Sequence, residues 1–374
     1  METATIISTT ERRIRIDVPG PWGSMRGSLR LPFRSGINPH VDAVREHNTA
    51  WAVEIGLAAA DDYPLIDAIQ RCQFEQLAAL CHRDCSLEAL RLVTNCYTAI
   101  FVFDDMLDDA RSEIGGNEAL AQHVTEYLSA AAADQARPLL REDVPARDRI
   151  VAVGNAYADV ARRLLGYTDR AGLRHYFASM RHYFVGCVME SRKRNHRVAH
   201  VADYTIVRLR CSAVYPTLEI GAVVENFDVS DQAREHPAFE TMRAATNLCV
   251  SYVNDLFSYA KESSAGELSN LVAVYQTAYG MDLPTAMQAA MRTNDRVVEE
   301  YFEAKAHLRL ESPIEAATEG YIKVMEDWMR GNFDWYHQRR TERYDQHLCI
   351  SPPKAGFVVC RAQPLRVWAT ERAS

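Results

Sequence analysis

Apolar residues recur at helical spacing through nearly the whole chain from Pro39 onward, and this pattern constrains the fold more than any other feature. The alternation of apolar and polar residues that is typical of strands is almost absent. Short breakers such as GG, HP and SSAG separate the helical stretches. We therefore predict an all-α fold, a bundle of about ten or more helices with short connections. The predicted helices cover residues 40–58, 86–109, 116–134, 146–166, 169–194, 201–226, 238–262, 268–279, 283–307 and 312–337.

Both ends of the chain lack this helical period. Residues 1–38 contain scattered proline and glycine, which predicts an irregular N-terminal lead-in. Residues 347–374 lose the helical spacing, so we expect a loosely ordered C-terminal tail. Between them, residues 39–346 show no linker-like shift in composition, and we expect them to fold as a single domain.

The composition is that of a globular protein, with 374 residues of which 48% are apolar and 25% are charged. The net charge of −8 comes without a basic stripe, so we expect no nucleic-acid partner. No stretch approaches the roughly 18 apolar residues of a membrane span, and the N-terminus lacks the apolar core of a signal peptide. Nine cysteines without a CxxC pair predict reduced, mostly buried thiols. We expect a cytoplasmic protein without stable membrane insertion.

The sequence FVFDDMLDDA at residues 101–110 places four aspartates directly behind an apolar run. If residues 86–109 form one helix, Asp104 and Asp108 lie on one face, and Asp105 and Asp108 are also neighbours. Crowded carboxylates repel one another unless a positive charge joins them, and hard oxygen ligands suit Mg²⁺. A hydrated helix end explains the same residues, although acidic groups there oppose the helix dipole. This motif by itself leaves both interpretations open.

A second polar pattern follows in YVNDLFSYAKE at residues 252–262. On a helix, Asn254, Ser258 and Glu262 form one polar column about 12 Å long, because they are spaced by four residues. Their amide, hydroxyl and carboxylate oxygens are hard donors for a divalent cation. Lys261 lies beside the column and suits a phosphate charge. A mixed-polarity surface stripe explains one such residue easily but explains three at this spacing less well.

Together, DDMLD at 104–108 and NDLFSYAKE at 254–262 resemble the paired metal motifs of bacterial-type class I terpene cyclases, also called terpene synthases. Two further elements fit that family. Arg208 lies 46 residues before Asn254, where the family carries a diphosphate-sensing arginine, and Arg343 and Tyr344 match its C-terminal Arg-Tyr pair. The resemblance covers about residues 30–346.

The resemblance implies a helical bundle around a central apolar cavity. It also implies ionisation and cyclisation of a linear prenyl diphosphate, with release of diphosphate and three Mg²⁺ ions expected when diphosphate is bound. Asp104 would be the main ligand of the first motif. The full set of implied metal ligands is Asp104, Asp105, Asp108, Asn254, Ser258 and Glu262. The implied diphosphate-binding residues are Arg208, Lys261, Arg343 and Tyr344.

Such chemistry needs a dry pocket whose aromatic faces stabilise a carbocation. Phe101, Trp328 and Trp335 are candidates, with plain core packing as the alternative for each. The family triggers ionisation through a helix break after the sensor arginine, which here implies Cys211 and Ser212. These residues depart from the aspartate, threonine or glycine that are usual in the family, and we expect Pro216 or Gly221 to supply the break.

The alternatives concern the substrate, the reaction and whether the protein is an enzyme. Farnesyl diphosphate giving a sesquiterpene is favoured, and geranylgeranyl diphosphate giving a diterpene is the runner-up. A chain-elongating isoprenyl diphosphate synthase would carry two aspartate-rich motifs, whereas the second motif here reads NDxxSxxxE. A non-enzymatic helical scaffold would give the polar residues of the two motifs no reason to converge. A homodimer is expected from the resemblance alone.

Overall fold

The computed structural model describes residues 12–59, 61–108, 112–193, 200–308 and 312–337. Within these ranges it contains fourteen helices and one two-stranded sheet. The strands are β1 (Arg13–Gly20) and β2 (Gly23–Arg30). The helices are α1 (Val41–Glu54), α2 (Tyr63–Cys72), α3 (Phe74–Cys81), α4 (Leu87–Asp108), α5 (Glu118–Ala132), α6 (Arg147–Leu164), α7 (Arg174–Lys193), α8 (Val201–Cys211), α9 (Val214–Val224), α10 (Asp231–Arg234), α11 (Pro237–Ala265), α12 (Leu271–Tyr279), α13 (Leu283–His307) and α14 (Ser312–His337).

The predicted all-α bundle is confirmed, and local sequence explains where several helices begin and end. Asn117, Asn270 and Asp282 cap α5, α12 and α13, each accepting a hydrogen bond from a backbone N–H of the first turn. Gly266 and Gly280 end α11 and α12 in the left-handed conformation, with φ of +80° and +65°. These short-range signals set the C-terminal end of α11 and both ends of α12, which matter for the site.

In place of the irregular lead-in that we predicted over residues 1–38, Arg13–Gly20 and Gly23–Arg30 form an antiparallel hairpin. The physical reason lies in the alternation of RIRIDV, which puts Ile16 and Val18 on one buried face. The hairpin packs against α11 and α13. It is also tied to α13 by Arg13, whose Nη2 lies 2.5 Å from Asp295 Oδ2.

Two helices, α2 and α3, lie in a stretch for which we predicted none. Asp62 begins α2 by accepting a hydrogen bond from the Leu65 N–H at 3.2 Å. Gln73, with φ of +56°, separates the two helices. Phe74 at the start of α3 is fully buried, so this helix belongs to the core rather than to a surface connection.

Within the core, α14 crosses α3 at close range. Gly331 makes this close crossing feasible, because a Cβ at that position would lie 2.7 Å from the Leu80 carbonyl carbon. The crossing buries Trp335 completely and sets it beside Phe74. The seven described cysteines are also buried, as predicted. Among the described residues, none of the helices combines the length and hydropathy that a membrane span requires.

Candidate active site

The end of α4 carries the aspartate-rich motif and lies against α11. Lys261 Nζ on α11 donates to Asp105 Oδ1 on α4 at 3.1 Å, and Asp105 is almost fully buried. Asp104 is half-buried and lies within electrostatic range of two buried tyrosines, Tyr157 on α6 and Tyr183 on α7. Asp108 is the last residue of α4, and its side chain lies outside the described part of the structure. The structure thus brings the two motifs together across 156 positions of sequence.

Two members of the α11 column, Ser258 and Glu262, converge on one amide. The Nδ2 atom of Asn270 donates to Glu262 Oε2 at 2.8 Å and lies 3.5 Å from Ser258 Oγ. Burial raises the pKa of Glu262 to about 7, and the nearby Asp255 carboxylate adds to this effect. A buried carboxyl with a raised pKa is a group whose charged form a cation would stabilise.

Arg208 on α8 reaches the third member of the column. Its Nη2 atom donates to Asn254 Oδ1 at 2.6 Å and lies 3.0 Å from Asp255 Oδ1. Asn254 in turn donates from Nδ2 to the Tyr336 hydroxyl at 2.7 Å. Burial alone would lower the pKa of the Arg208 guanidinium, but Tyr204 and Asp255 outweigh it, and the pKa is raised above its ordinary value. The arginine is therefore a permanent positive charge beside the column.

Sequence reasoning missed Asp255 and Tyr204. Asp255 is fully buried and accepts hydrogen bonds from the Tyr204 hydroxyl and, at 3.0 Å, from the Leu271 N–H. Burial raises its pKa, against the opposing effect of Arg208. Asp255 directly follows Asn254, and this was a usable signal. Adjacent residues on a helix point about 100° apart, so a different partner from that of Asn254 was to be expected for Asp255. Nothing in the sequence near Tyr204 indicates its contact.

The aromatic candidates occupy two layers between α4 and α14. Phe101 stacks on Phe74, with ring centroids 4.7 Å apart, and Trp335 lies 5.8 Å from Phe101. Trp328 instead packs on Tyr97, with centroids 5.4 Å apart. Tyr97 precedes Asp104 by seven residues and Phe101 by four, so along α4 this second layer lies about 10 Å from Asp104 and about 6 Å from the first layer. Phe74 and Tyr97 were not among the predicted aromatic residues.

The stretch predicted as one helix over residues 201–226 is broken between α8 and α9. The break falls at Ser212 and Ala213, where Ala213 adopts a left-handed φ of +59°. Our expectation that Pro216 or Gly221 supplies the break is wrong, because both residues lie inside α9. Proline is tolerated in the first turn, where its missing N–H has no helical acceptor.

The residues expected to act as effectors lie at this break. Cys211 is the last residue of α8, and the Ser212 hydroxyl donates to Asn247 Oδ1 on α11 at 2.8 Å. Gly186 on α7 lets the break pack closely, because a Cβ there would lie 2.4 Å from the Arg210 carbonyl carbon. The break lies about one helical turn after Arg208.

The donor set fits Mg²⁺ in its chemistry. Asp104 and Asp105 offer carboxylates, and the α11 column offers an amide, a hydroxyl and one further carboxylate, all of which are hard oxygen donors. In the described part of the chain, no three histidine, cysteine, aspartate or glutamate side chains come together as a metal site on their own. Arg343 and Tyr344 lie outside the described residues.

Comparison with known proteins identifies the class of protein that has this fold, the class I terpene cyclases. Residues 95–300 match the family model described as terpene synthase family 2, C-terminal metal binding. The matched segment contains both motifs and Arg208. The chain belongs to terpene synthase family 2 and is an enzyme of that family.

Similar proteins cover most of the chain. The (+)-T-muurolol synthase of Roseiflexus castenholzii, described as cyclising (2E,6E)-farnesyl diphosphate, is 28% identical over 312 residues, which are 83% of this chain and 91% of that protein. The 10-epi-cubebol synthase of Sorangium cellulosum is 27% identical over 335 residues, with 86% and 99% covered. The crystal structure of germacradien-4-ol synthase from Streptomyces citricolor superposes with a TM-score of 0.68 at 21% identity, covering 83% and 97%. This structural likeness supports the fold.

Proposed function

We propose that this protein is a Mg²⁺-dependent sesquiterpene cyclase that ionises and cyclises farnesyl diphosphate and releases diphosphate. The observation that carries the proposal is the joining of the two motifs. Lys261 holds α11 against Asp105 of α4, while Arg208 contacts Asn254 of the column. Two cationic side chains thus contact proposed metal ligands, and these groups come from three helices. The T-muurolol synthase, whose name specifies farnesyl diphosphate, supports the fifteen-carbon substrate.

The protein groups that would hold the cations are the aspartates of α4 and the column of α11, with three Mg²⁺ expected in the substrate complex. When bound, Mg²⁺ would supply positive charge that makes diphosphate a better leaving group. Arg208 and Lys261 would donate to phosphate oxygens, and Arg343 and Tyr344 would do the same from the C-terminal segment. In this arrangement the departing diphosphate needs no protein nucleophile.

The aromatic layers would serve the hydrocarbon part of the substrate. Phe101 and Trp335 lie in the layer nearer to the aspartates and would meet the first carbocation. A ring face stabilises a nearby cation by about 0.5–2 kcal/mol. Trp328 lies in the next layer and would act on a later cation or set the depth of the pocket. Together these rings would exclude the water that quenches an allylic cation.

The break between α8 and α9 would couple substrate binding to ionisation. Arg208 lies one turn before Cys211 and Ser212, and Ser212 is held by Asn247. A diphosphate that draws Arg208 toward it would bias the position of this break. We also propose a cytoplasmic location, which is supported by the free, buried thiols of a chain suited to a reducing compartment.

The decisive experiment is product analysis by gas chromatography–mass spectrometry. The purified protein is incubated separately with geranyl, farnesyl and geranylgeranyl diphosphate, with and without Mg²⁺. A cyclic fifteen-carbon product from farnesyl diphosphate that is lost on chelation is the expected result. A cyclic product from the twenty-carbon substrate alone would make the enzyme a diterpene cyclase. Longer diphosphates formed on addition of isopentenyl diphosphate would make it a chain-elongating synthase.

A matched pair of variants tests the site itself. Glu262→Ala removes the carboxylate of the column and should abolish turnover while the protein stays folded. Glu303→Ala removes an exposed carboxylate of α13 and should leave turnover unchanged. Full activity in Glu262→Ala would refute the assignment of the column.

A further inference from the structure

Asn270 is a fully buried polar residue at the junction between α11 and α12. The chain leaves α11 at Gly266, turns back, and enters α12 with Asn270 as its N-cap. A buried amide must find hydrogen-bonding partners, because each unsatisfied polar group costs free energy. The partners of Asn270 therefore show what this junction does.

The two ends of the Asn270 side-chain amide form hydrogen bonds with two different helices. Its Oδ1 atom accepts from the Val272 N–H at 2.8 Å and caps α12. Its Nδ2 atom donates to the Asp255 carbonyl oxygen at 2.9 Å and to Glu262 Oε2 at 2.8 Å, and lies 3.5 Å from Ser258 Oγ. One end of the side chain thus serves α12, while the other end binds three successive turns of α11.

Two of the three α11 groups are the hydroxyl and carboxylate of the proposed metal column. Holding Oε2 of Glu262 fixes the rotation of the carboxylate about its last bond, and the same nitrogen limits the position of the Ser258 hydroxyl. Partners of this kind orient metal ligands before the ion arrives, and changing one typically weakens metal binding by about 10–100-fold.

The junction also reaches Arg208. The Leu271 N–H, next to Asn270, donates to Asp255 Oδ2 at 3.0 Å, and the other carboxylate oxygen of Asp255 lies 3.0 Å from Arg208 Nη2. The start of α12 is therefore attached to α11 through both the carbonyl oxygen and the carboxylate of Asp255. This double attachment keeps the column and Arg208 in a fixed relation.

We propose that Asn270 is a positioning residue that sets Ser258 and Glu262 for the divalent cation. The inference rests on the proposed function, since it assigns Asn270 to the metal site of the cyclase. It predicts that removing the amide weakens cation binding by much more than it lowers the free energy of unfolding. Helix capping and ligand positioning are separable, because different atoms of the same side chain perform them.

The test uses Asn270→Ser and Asn270→Thr in the full chain. Both residues keep a side-chain oxygen that caps a helix, but neither reaches Glu262 with a donor. Asn38→Ser is the matched control. Asn38 is equally buried and donates from Nδ2 to the carbonyl oxygens of His82 and Cys85, away from the column. Mn²⁺ binding in the presence of inorganic diphosphate is measured by electron paramagnetic resonance, alongside thermal unfolding.

Mn²⁺ affinity should fall by about 10–100-fold in both Asn270 variants and by less than about threefold in Asn38→Ser. Turnover in the Asn270 variants should recover when Mg²⁺ is raised, since every ligand remains. An Mn²⁺ affinity within about threefold of wild type would overturn the proposal, and so would equal weakening in Asn38→Ser. Loss of the fold in both Asn270 variants, with Asn38→Ser folded, would also overturn it, because Asn270 would then be structural.

Measurements on the wild-type protein distinguish a failure of the proposed function from a failure of the positioning role of Asn270. Wild-type protein that binds no Mn²⁺ with diphosphate and turns over no prenyl diphosphate would refute the proposed function and with it this inference. Wild-type protein that binds Mn²⁺ normally, beside unaffected Asn270 variants, would refute the positioning role alone.

Discussion

Lys261 on α11 and Asp105 on α4 form an ion pair with Nζ 3.1 Å from Oδ1, and this contact joins the aspartate-rich motif of α4 to the second motif on α11. Asp105 is 1% exposed and Lys261 is 19% exposed. The carboxylate therefore depends strongly on the partners that the protein supplies. The same pair ties the C-terminal end of α4 to α11.

Lys261→Met should destabilise the protein, because it removes this positive charge from a buried carboxylate while keeping the length of the side chain. We expect the free energy of unfolding to fall by about 2–3 kcal/mol, at or below the lower end for breaking a buried pair, because the lysine is partly exposed. Urea unfolding measures this change. Combining Lys261→Met with Asp105→Asn should cost less than the sum of the two single changes, and strict additivity would argue against a direct coupling.

Arg208→Lys should impair catalysis more than folding. Lysine keeps the charge but loses the planar guanidinium, which here contacts both Asn254 and Asp255. We expect kcat/KM to fall by about 100-fold or more, the size seen when one preorganised donor to a developing charge is removed. Arg210→Lys is the control on the same helix, since that guanidinium donates to the Ile206 carbonyl oxygen. Similar kinetics for the two variants would contradict a special position for Arg208.

Cation binding should strengthen as pH rises through neutrality. Burial raises the pKa of Glu262 to about 7 in the absence of metal, so below that pH the carboxyl is mostly protonated and is a poor ligand. Affinity for Mn²⁺ should fall by up to about tenfold per pH unit below 7, since one proton competes with the ion. Titrations at pH 6, 7 and 8 measure this slope. Glu262→Gln should bind more weakly and lose the dependence, and an unchanged slope would assign the proton to another group.

Glu219 should stabilise the fold in a pH-dependent way. It is almost fully buried and accepts hydrogen bonds from Arg234 at 2.9 Å twice, from Arg243 at 2.9 Å and from the Tyr321 hydroxyl at 2.8 Å. Burial alone would raise its pKa, but Arg243 and Arg234 outweigh burial and lower it. A lowered pKa means that its contribution is complete above the ordinary value of 4.5 and is lost as pH falls through the folded value.

Glu219→Gln should therefore lower the free energy of unfolding by about 3 kcal/mol at pH 7, because it leaves two arginines buried against a neutral group. Glu240→Gln, which removes an exposed partner of Arg243, should cost less than about 1 kcal/mol. Urea unfolding at pH 7 and in acid compares them. The gap between Glu219→Gln and wild type should shrink in acid, and a constant gap would exclude a role for the charge.

Local patterns predicted which candidate residues share a helix face. The i, i+4 spacing of Asn254, Ser258 and Glu262 becomes a column on any helix, whatever surrounds it. The same helical geometry predicts that Asp104 and Asp108 share a face at the end of α4. The hairpin of β1 and β2 was missed although RIRIDV alternates, because a short strand gives a weaker signal than a long helix. The break at Ala213 was misplaced because a left-handed alanine has no local sequence signature, whereas Pro216 and Gly221 do.

The sequence by itself determined the helical class of the fold, the spacing within each metal motif and the family to which the chain belongs. Each of these depends on residues close together in the chain or on a fixed offset. Only the tertiary structure decided that Asn270 holds Glu262, that Asp255 and Tyr204 support Arg208, and that Phe74 and Tyr97 pack against the predicted aromatic residues. These contacts depend on how loops return and how helices cross. Buried polar groups need hydrogen-bond partners, and only the folded structure determines which partners lie within reach.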